Sequence, residues 1–125
     1  MNKNTHIAAG VLTSIGIVYA GGSLELIPGI MIGSVLPDLD ANHSYIRSKV
    51  KIIAKIYDFL PNNLVFQHRG LLLHSAWTIA LFSYLNVKYG TIFGGIAIGC
   101  LSHHLLDMLT SQGLKKYFWP ICAKK

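Results

Sequence analysis

Four long stretches of this 125-residue chain contain no Asp, Glu, Lys or Arg: Asn4–Leu24, Leu26–Pro37, Gly70–Val87 and Tyr89–Leu106. Runs of this length and apolarity satisfy a chain only inside hydrocarbon or inside a very apolar bundle, and a bilayer core needs about 20 such residues per helix. Charged residues are 13% of the chain, against about 25% in an ordinary soluble domain. A single-domain, all-α membrane protein spanning residues 1–125 is the expectation. The alternative is an unusually apolar soluble bundle.

The runs read as four helices. Helix 1 is expected over Thr5–Ala20, stopped by Gly21-Gly22, and helix 2 over Leu24–Leu36. Pro28 lies near the start of helix 2, where proline is tolerated, and Pro37 biases Leu36 away from helix. Helix 3 is expected over Gly70–Val87 and helix 4 over Gly90–Leu109, with Tyr89-Gly90 as the turn and Gly113 past the end. At ~1.5 Å per residue, helices 3 and 4 would reach about 27–30 Å and helices 1 and 2 about 20–24 Å. Helices 1 and 2 are thus either two full spans or a re-entrant hairpin. Between the pairs, Ser44–Leu60 interleaves Ile46, Val50, Ile53, Ile56, Tyr57 and Leu60 with Arg47, Lys49, Lys51 and Lys55. That is the pattern of a basic amphipathic helix lying at a membrane surface.

Two hairpins place ten of the eleven Lys and Arg residues on one side of the bilayer, with Lys88 alone on the other. The bias predicts that this side is cytoplasmic, in a bacterial inner membrane crossed several times. The basic surface suits anionic lipid, and no nucleic-acid partner is expected. No cleaved signal peptide is expected, because His6 interrupts the first apolar run. Cys100 and Cys122 make neither a disulfide framework nor a CxxC motif.

The polar residues inside or beside the runs are the candidate site. Only five acids occur in the chain, and three of them, Asp38, Asp40 and Asp107, fall in short clusters at run ends. Such groups are costly next to hydrocarbon unless paired or bound to a metal. His103 and Asp107 are four apart on a predicted helix and share a face. Asp38-Leu39-Asp40 follows helix 2. His68-Arg69-Gly70 and His74 open helix 3, and His6 opens helix 1. The hairpin topology gathers all of these at one end of the bundle. Imidazoles and carboxylates in that combination suit a divalent metal: zinc first, manganese or iron as alternatives. His6, Asp38, Asp40, His74, His103 and Asp107 are the candidate ligands. His68 is a further ligand or a proton shuttle, and Arg69 would orient an anionic substrate such as a phosphoester. His104, about 100° around the helix from His103, faces elsewhere, and His43 is a loop residue. A serine nucleophile at Ser75 or Ser102 is the weaker alternative, since neither lies in a GxSxG context.

These segments, His6 with Gly10, Leu36-Pro37-Asp38-Leu39-Asp40, His68-Arg69-Gly70 with His74-Ser75, and Gly99 through Thr110, with Gly113 and Trp119-Pro120 beyond, span nearly the whole chain. In this order the chain resembles the LexA-binding, inner-membrane-associated hydrolases, the YdjM-like membrane-bound metal-dependent hydrolases. The resemblance implies a bacterial or phage multi-pass membrane protein with metal-dependent hydrolase activity. Its site would be built from the DxD, HRGxxxHS and SHxxxDxxT positions. The THxxxG start is also similar to zinc-dependent phospholipase C relatives, which implies a phosphoester or lipid-borne substrate. His104 departs from the apolar residue expected there. Family members continue past Trp119-Pro120 into a further hydrophobic stretch, so this chain reads as a short or truncated member. A rival reading is a non-enzymatic membrane adaptor that binds a regulatory protein through its basic loop, with a structural metal. A metal carrier fits less well, because the polar groups cluster at one end rather than through the runs.

Overall fold

The structure, a computed structural model, describes residues 3–40, 49, 51–59, 73–110 and 117–118. Among them the chain is helical: α1 (Lys3–Tyr19), α2 (Leu26–Val35), a 3-10 helix (Leu36–Asp40), α3 (Lys51–Phe59), α4 (Ala76–Tyr89) and α5 (Thr91–Met108). This agrees with the all-α expectation. The central pair is α2 and α5, α1 packs on both, and α4 packs on α5.

Glycine makes the central contact. Gly29 and Gly33 on α2 lie against Gly95 and the backbone of Ile92 and Ile96 on α5. Gly95 and Gly99 return the contact against the backbone of Leu26, Ile30 and Ser34. A methyl group at any of the four would overlap a main-chain carbonyl oxygen of the opposite helix. Glycines four apart on each helix therefore let two backbones touch directly, the small-xxx-small arrangement common between helices in lipid. At the end remote from the candidate site, Thr91 Oγ1 donates to Glu25 Oε2 at 3.1 Å and ties the two helix starts.

Local boundaries follow from chain chemistry. Pro28 lies in the first turn of α2, where its missing N–H has no intrahelical acceptor to lose. Pro37 does not push Leu36 out of the helical region: Leu36 keeps φ −57° and ψ −43°, and the chain tightens into the 3-10 turn. Gly90, with φ 111°, reverses the chain between α4 and α5 at the expected turn, in a conformation closed to side-chain-bearing residues.

The third expected helix is shorter than its apolar run. It begins at Ala76 rather than Gly70, because Ser75 is extended (φ −127°, ψ 163°) and the Ala76 N–H donates to the carbonyl of Tyr117 at 3.0 Å. His74 therefore precedes α4 instead of riding on it. At ~1.5 Å per residue the 14-residue α4 is about 21 Å long. The 18-residue α5 reaches about 27 Å, but its last two turns carry His103, His104 and Asp107. Among the described residues no helix is long and apolar enough to cross a membrane.

The side-chain distribution is inverted relative to a water-soluble bundle. The described core holds His6, Ser14, Ser34, His74, Ser75, Thr78, His103, His104 and Asp107, against the apolar Ile30, Ile96, Ala97, Cys100 and Tyr117. Val11, Leu12 and Ile15 on α1, Trp77, Leu81 and Tyr84 on α4, and Leu101 and Leu105 on α5 are exposed. α3 exposes Ile52, Ile56 and Phe59 at helical spacing with Lys51 and Lys55 beside them, matching the basic amphipathic pattern over its described length.

Gly33→Ala and Gly99→Ala are each expected to destabilise the protein by about 2–3 kcal/mol through forced separation of the backbones. Gly16→Ala, which meets no heavy atom within 4 Å, should be neutral or stabilising by up to about 1 kcal/mol. Unfolding in detergent micelles compares the three.

Candidate metal centre

Five of the predicted residues meet at one end of the bundle. α1 supplies His6 in its first turn, and the 3-10 turn after α2 supplies Asp38. His74 comes from the bend before α4, and α5 supplies His103 and Asp107. The helical spacing of His103 and Asp107 brings His103 Nε2 to 3.6 Å from Asp107 Oδ2. His74 Nε2 lies 3.5 Å from the same oxygen. His6 Nε2 lies 3.7 Å from the other carboxylate oxygen, Oδ1. His103 Nε2 is also 3.8 Å from Asp38 Oδ1.

These separations are longer than hydrogen bonds and compatible with metal ligands. A direct N–H···O bond ends near about 3.2 Å. Two ligands of a tetrahedral ion at ~2.05 Å would lie about 3.3 Å from each other. The nitrogen–oxygen pairs here, at 3.5–3.8 Å, fall on the ligand-edge side of that comparison. Both ring nitrogens of His6, and Nε2 of His103, are buried with no hydrogen-bond partner. An unsatisfied buried polar atom costs about 1–3 kcal/mol, so several in one place call for an occupant. Two groups of donor atoms are each compact enough for one ion: His6, Asp38 and His103, and His74, His103 and Asp107.

His103 is oriented for ligation. Its Nδ1 lies 2.8 Å from the carbonyl oxygen of Ser34. A carbonyl only accepts, so Nδ1 carries the proton and Nε2 presents its lone pair to the site. A backbone carbonyl holding the far nitrogen is the usual support of a metal-bound histidine. The bond depends on the glycine contact, which brings the end of α2 against α5. Gly10 gives α1 a similar close approach, lying against the Ser34 side chain. His6 then stacks flat on His103, with ring centroids 3.7 Å apart and planes 15° from parallel. Thr110 Oγ1 donates to the Asp107 carbonyl at 2.7 Å and closes the turn that carries the carboxylate.

Burial keeps the rings of His6 and His104 neutral near pH 7. Burial, followed by the neighbouring His103, lowers the His6 pKa to about 4. Burial likewise lowers that of His104 to about 4, opposed by its hydrogen bond to Leu73. Burial raises the pKa of Asp38, and His103 opposes the shift. Neutral imidazole is the form that binds a cation.

Other expected residues divide differently. Asp40 closes the 3-10 turn two residues from Asp38. His68, Arg69 and His43 lie outside the described residues. Ser102 Oγ donates to the Gly99 carbonyl at 2.8 Å, a local helix bond rather than a nucleophile–base contact. His104, expected to face elsewhere, does leave the ligand cluster, but into the core: it is fully buried and hydrogen-bonded to Leu73. The cost of burying a polar ring applied to His104 as much as to His103, and that signal was present in the apolar run. The two pairs of glycines four apart also stood in the sequence as a helix-contact signal.

The fold and site thus define a helical protein with an apolar outer surface and a buried histidine–aspartate centre able to hold a metal. The chain belongs to the YdjM inner membrane protein family, whose model matches residues 1–125. It is 31% identical over 111 residues to inner membrane protein YdjM of Escherichia coli (strain K12), covering 83% of this chain and 54% of that protein. The Shigella flexneri protein of the same name gives the same values. It is 28% identical over 123 residues to the uncharacterized protein YvsG of Bacillus subtilis (strain 168), covering 94% of this chain and 73% of that one. The chain spans about half the length of the YdjM relatives. No solved structure matches it.

In the metal-free protein, His6 and His104 bind protons only after folding is lost, since their folded pKa of about 4 lies below the ordinary 6.5. Their contribution is complete above about pH 6.5 and is lost as pH falls toward 4. Thermal midpoints of metal-free protein should fall across that window, and His104→Gln should flatten the fall.

Proposed function

We propose that this chain is a metal-dependent hydrolase of phosphoester substrates, attached to the bacterial inner membrane by its apolar surface. The observation that carries the reading is the set of three buried ring nitrogens, both of His6 and Nε2 of His103. They lack hydrogen bonds and stand at ligand-edge distance from Asp38 and Asp107. His6, Asp38, His74, His103 and Asp107 would hold one or two divalent ions, zinc being the first candidate. His103 has one free nitrogen, so it can serve only one ion, whereas the two oxygens of Asp107 face different histidines and suit a bridge.

A bound ion of this kind lowers the pKa of water and stabilises negative charge on a phosphoryl oxygen. The protein residues supply the rest. Burial keeps His6 neutral near pH 7 and shields the rings and Asp107 from solvent. Asp38 is the most open described member, its side chain 22% exposed where the others are at most 3%. It therefore marks the edge at which substrate and water meet the site. Arg69 and His68 are assigned to anion binding and proton transfer from their motif. The family name and the exposed apolar side chains support membrane attachment. The amphipathic α3 would lie at the headgroup level, with Lys51 and Lys55 toward anionic lipid.

Purified wild-type protein loaded with zinc should retain close to one or two equivalents after desalting. His103→Ala and Asp107→Asn should each bind more than about tenfold more weakly. Both should also lose metal-stimulated hydrolysis of a chromogenic phosphodiester. Wild type that keeps no more metal than the variants would remove the centre. Metal retention without any hydrolysis would remove the hydrolase reading.

A further inference from the structure

His74 is the one histidine of the centre that no helix holds, and the surrounding bonds show what fixes it instead. We propose that His104, one residue beyond a ligand and absent from the ligand set, is the positioning residue for His74, acting through a clamp it forms with Tyr117. The inference rests on the metal-centre reading above and assigns to that centre a support outside it.

The geometry is specific. His104 Nε2 lies 2.9 Å from the carbonyl oxygen of Leu73, the residue immediately before His74. The carbonyl accepts, so Nε2 carries the proton, and Nδ1 of the neutral ring is left as an acceptor. Tyr117 Oη lies 3.4 Å from that Nδ1 and donates to it. The Tyr117 main-chain carbonyl accepts from the N–H of Ala76 at 3.0 Å. Residues 73 and 76 are therefore held on either side of His74, one by the His104 ring and the other by the backbone of the residue that hydrogen-bonds that ring. The rings of His104 and Tyr117 also meet edge to face, with centroids 5.3 Å apart. His104 is completely buried and Tyr117 is 9% exposed.

The cost argument favours this role. A buried imidazole is expensive in an apolar helix, and an apolar residue there would pack without it. His104 spends both nitrogens on this clamp and none on the site. Because His103 and His104 are adjacent on α5, one rigid helix sets both the ligand and the support for the ligand that approaches from another segment. A metal-bound histidine displaced by even an ångström leaves its coordination position, and outer support of this kind is worth about 10–100-fold in metal affinity.

The test is a cobalt(II) titration of the full chain in detergent, read by affinity and by the visible d–d spectrum, which reports ligand number and geometry. The variants are His104→Leu, which keeps volume and removes the donor, and His104→Gln, whose amide reaches the Nε2 position. His104→Asn, whose amide stops short of Leu73, is the third. Circular dichroism of the metal-free proteins establishes folding. His104→Leu and His104→Asn are expected to bind cobalt about tenfold or more weakly with an altered spectrum, and His104→Gln to stay within about threefold of wild type with an unchanged spectrum. If His104→Leu does not fold, the Gln and Asn pair decides on the same criterion. Folded variants that all match wild type in affinity and spectrum overturn the clamp. Equal weakening by Gln and Asn overturns it too, since restoring the donor would then restore nothing. A wild type that binds no cobalt overturns the metal centre instead.

Discussion

The direct contact of two backbones across Gly29, Gly33, Gly95 and Gly99 is the constraint from which the rest of this molecule follows. With side chains between them, helices lie about 8–10 Å apart, whereas glycine lets them close further. The nearer approach puts the Ser34 carbonyl within 2.8 Å of His103. That bond fixes the tautomer of the histidine on which both candidate ligand groups depend. Packing that would elsewhere be a matter of stability alone here decides which nitrogen faces the site.

The contact also explains how so polar a centre is tolerated. Two tightly joined helices leave little interior to fill, and the described apolar core is correspondingly small. The interior is given over to histidines, serines, a threonine and one aspartate, and the large apolar side chains face outward. Hydrocarbon outside and hydrogen-bonding groups inside is the reverse of the water-soluble arrangement. It makes His6 and His104 neutral chiefly by desolvation, as their lowered pKa values record. The rings stand beside two carboxylates, Asp38 and Asp107, a donor set compact enough to hold a cation.

Much of this was legible in the residues. The hairpin reading placed His6, Asp38, His74, His103 and Asp107 at one end because charge-free runs of similar length must start and finish together, and the fold agrees. The turn at Gly90 and the bounds of α1 and α5 followed from apolar period and glycine placement. What escaped was non-local. The start of α4 is decided by a bond to Tyr117, about forty residues away, and no pattern in Gly70–Ser75 encodes it. The full spans expected from the apolar runs overlooked that Leu73–Ser75 would be spent on presenting His74. His104 leaves the ligand cluster as expected, but helix geometry tells only which way a side chain leaves its axis and not what awaits it there. The role of the four glycines needed both helices at once.

The uneven exposure of the site has a consequence for how it fills. The carboxylate of Asp38 stands at the rim, while the rings and Asp107 lie behind it. A small cation arriving from water meets an attractive charge at the threshold and two further donors beyond. An anion arriving first meets repulsion, and behind it another carboxylate. On the proposed reading, the rim carboxylate would draw a cation inward ahead of any negatively charged guest.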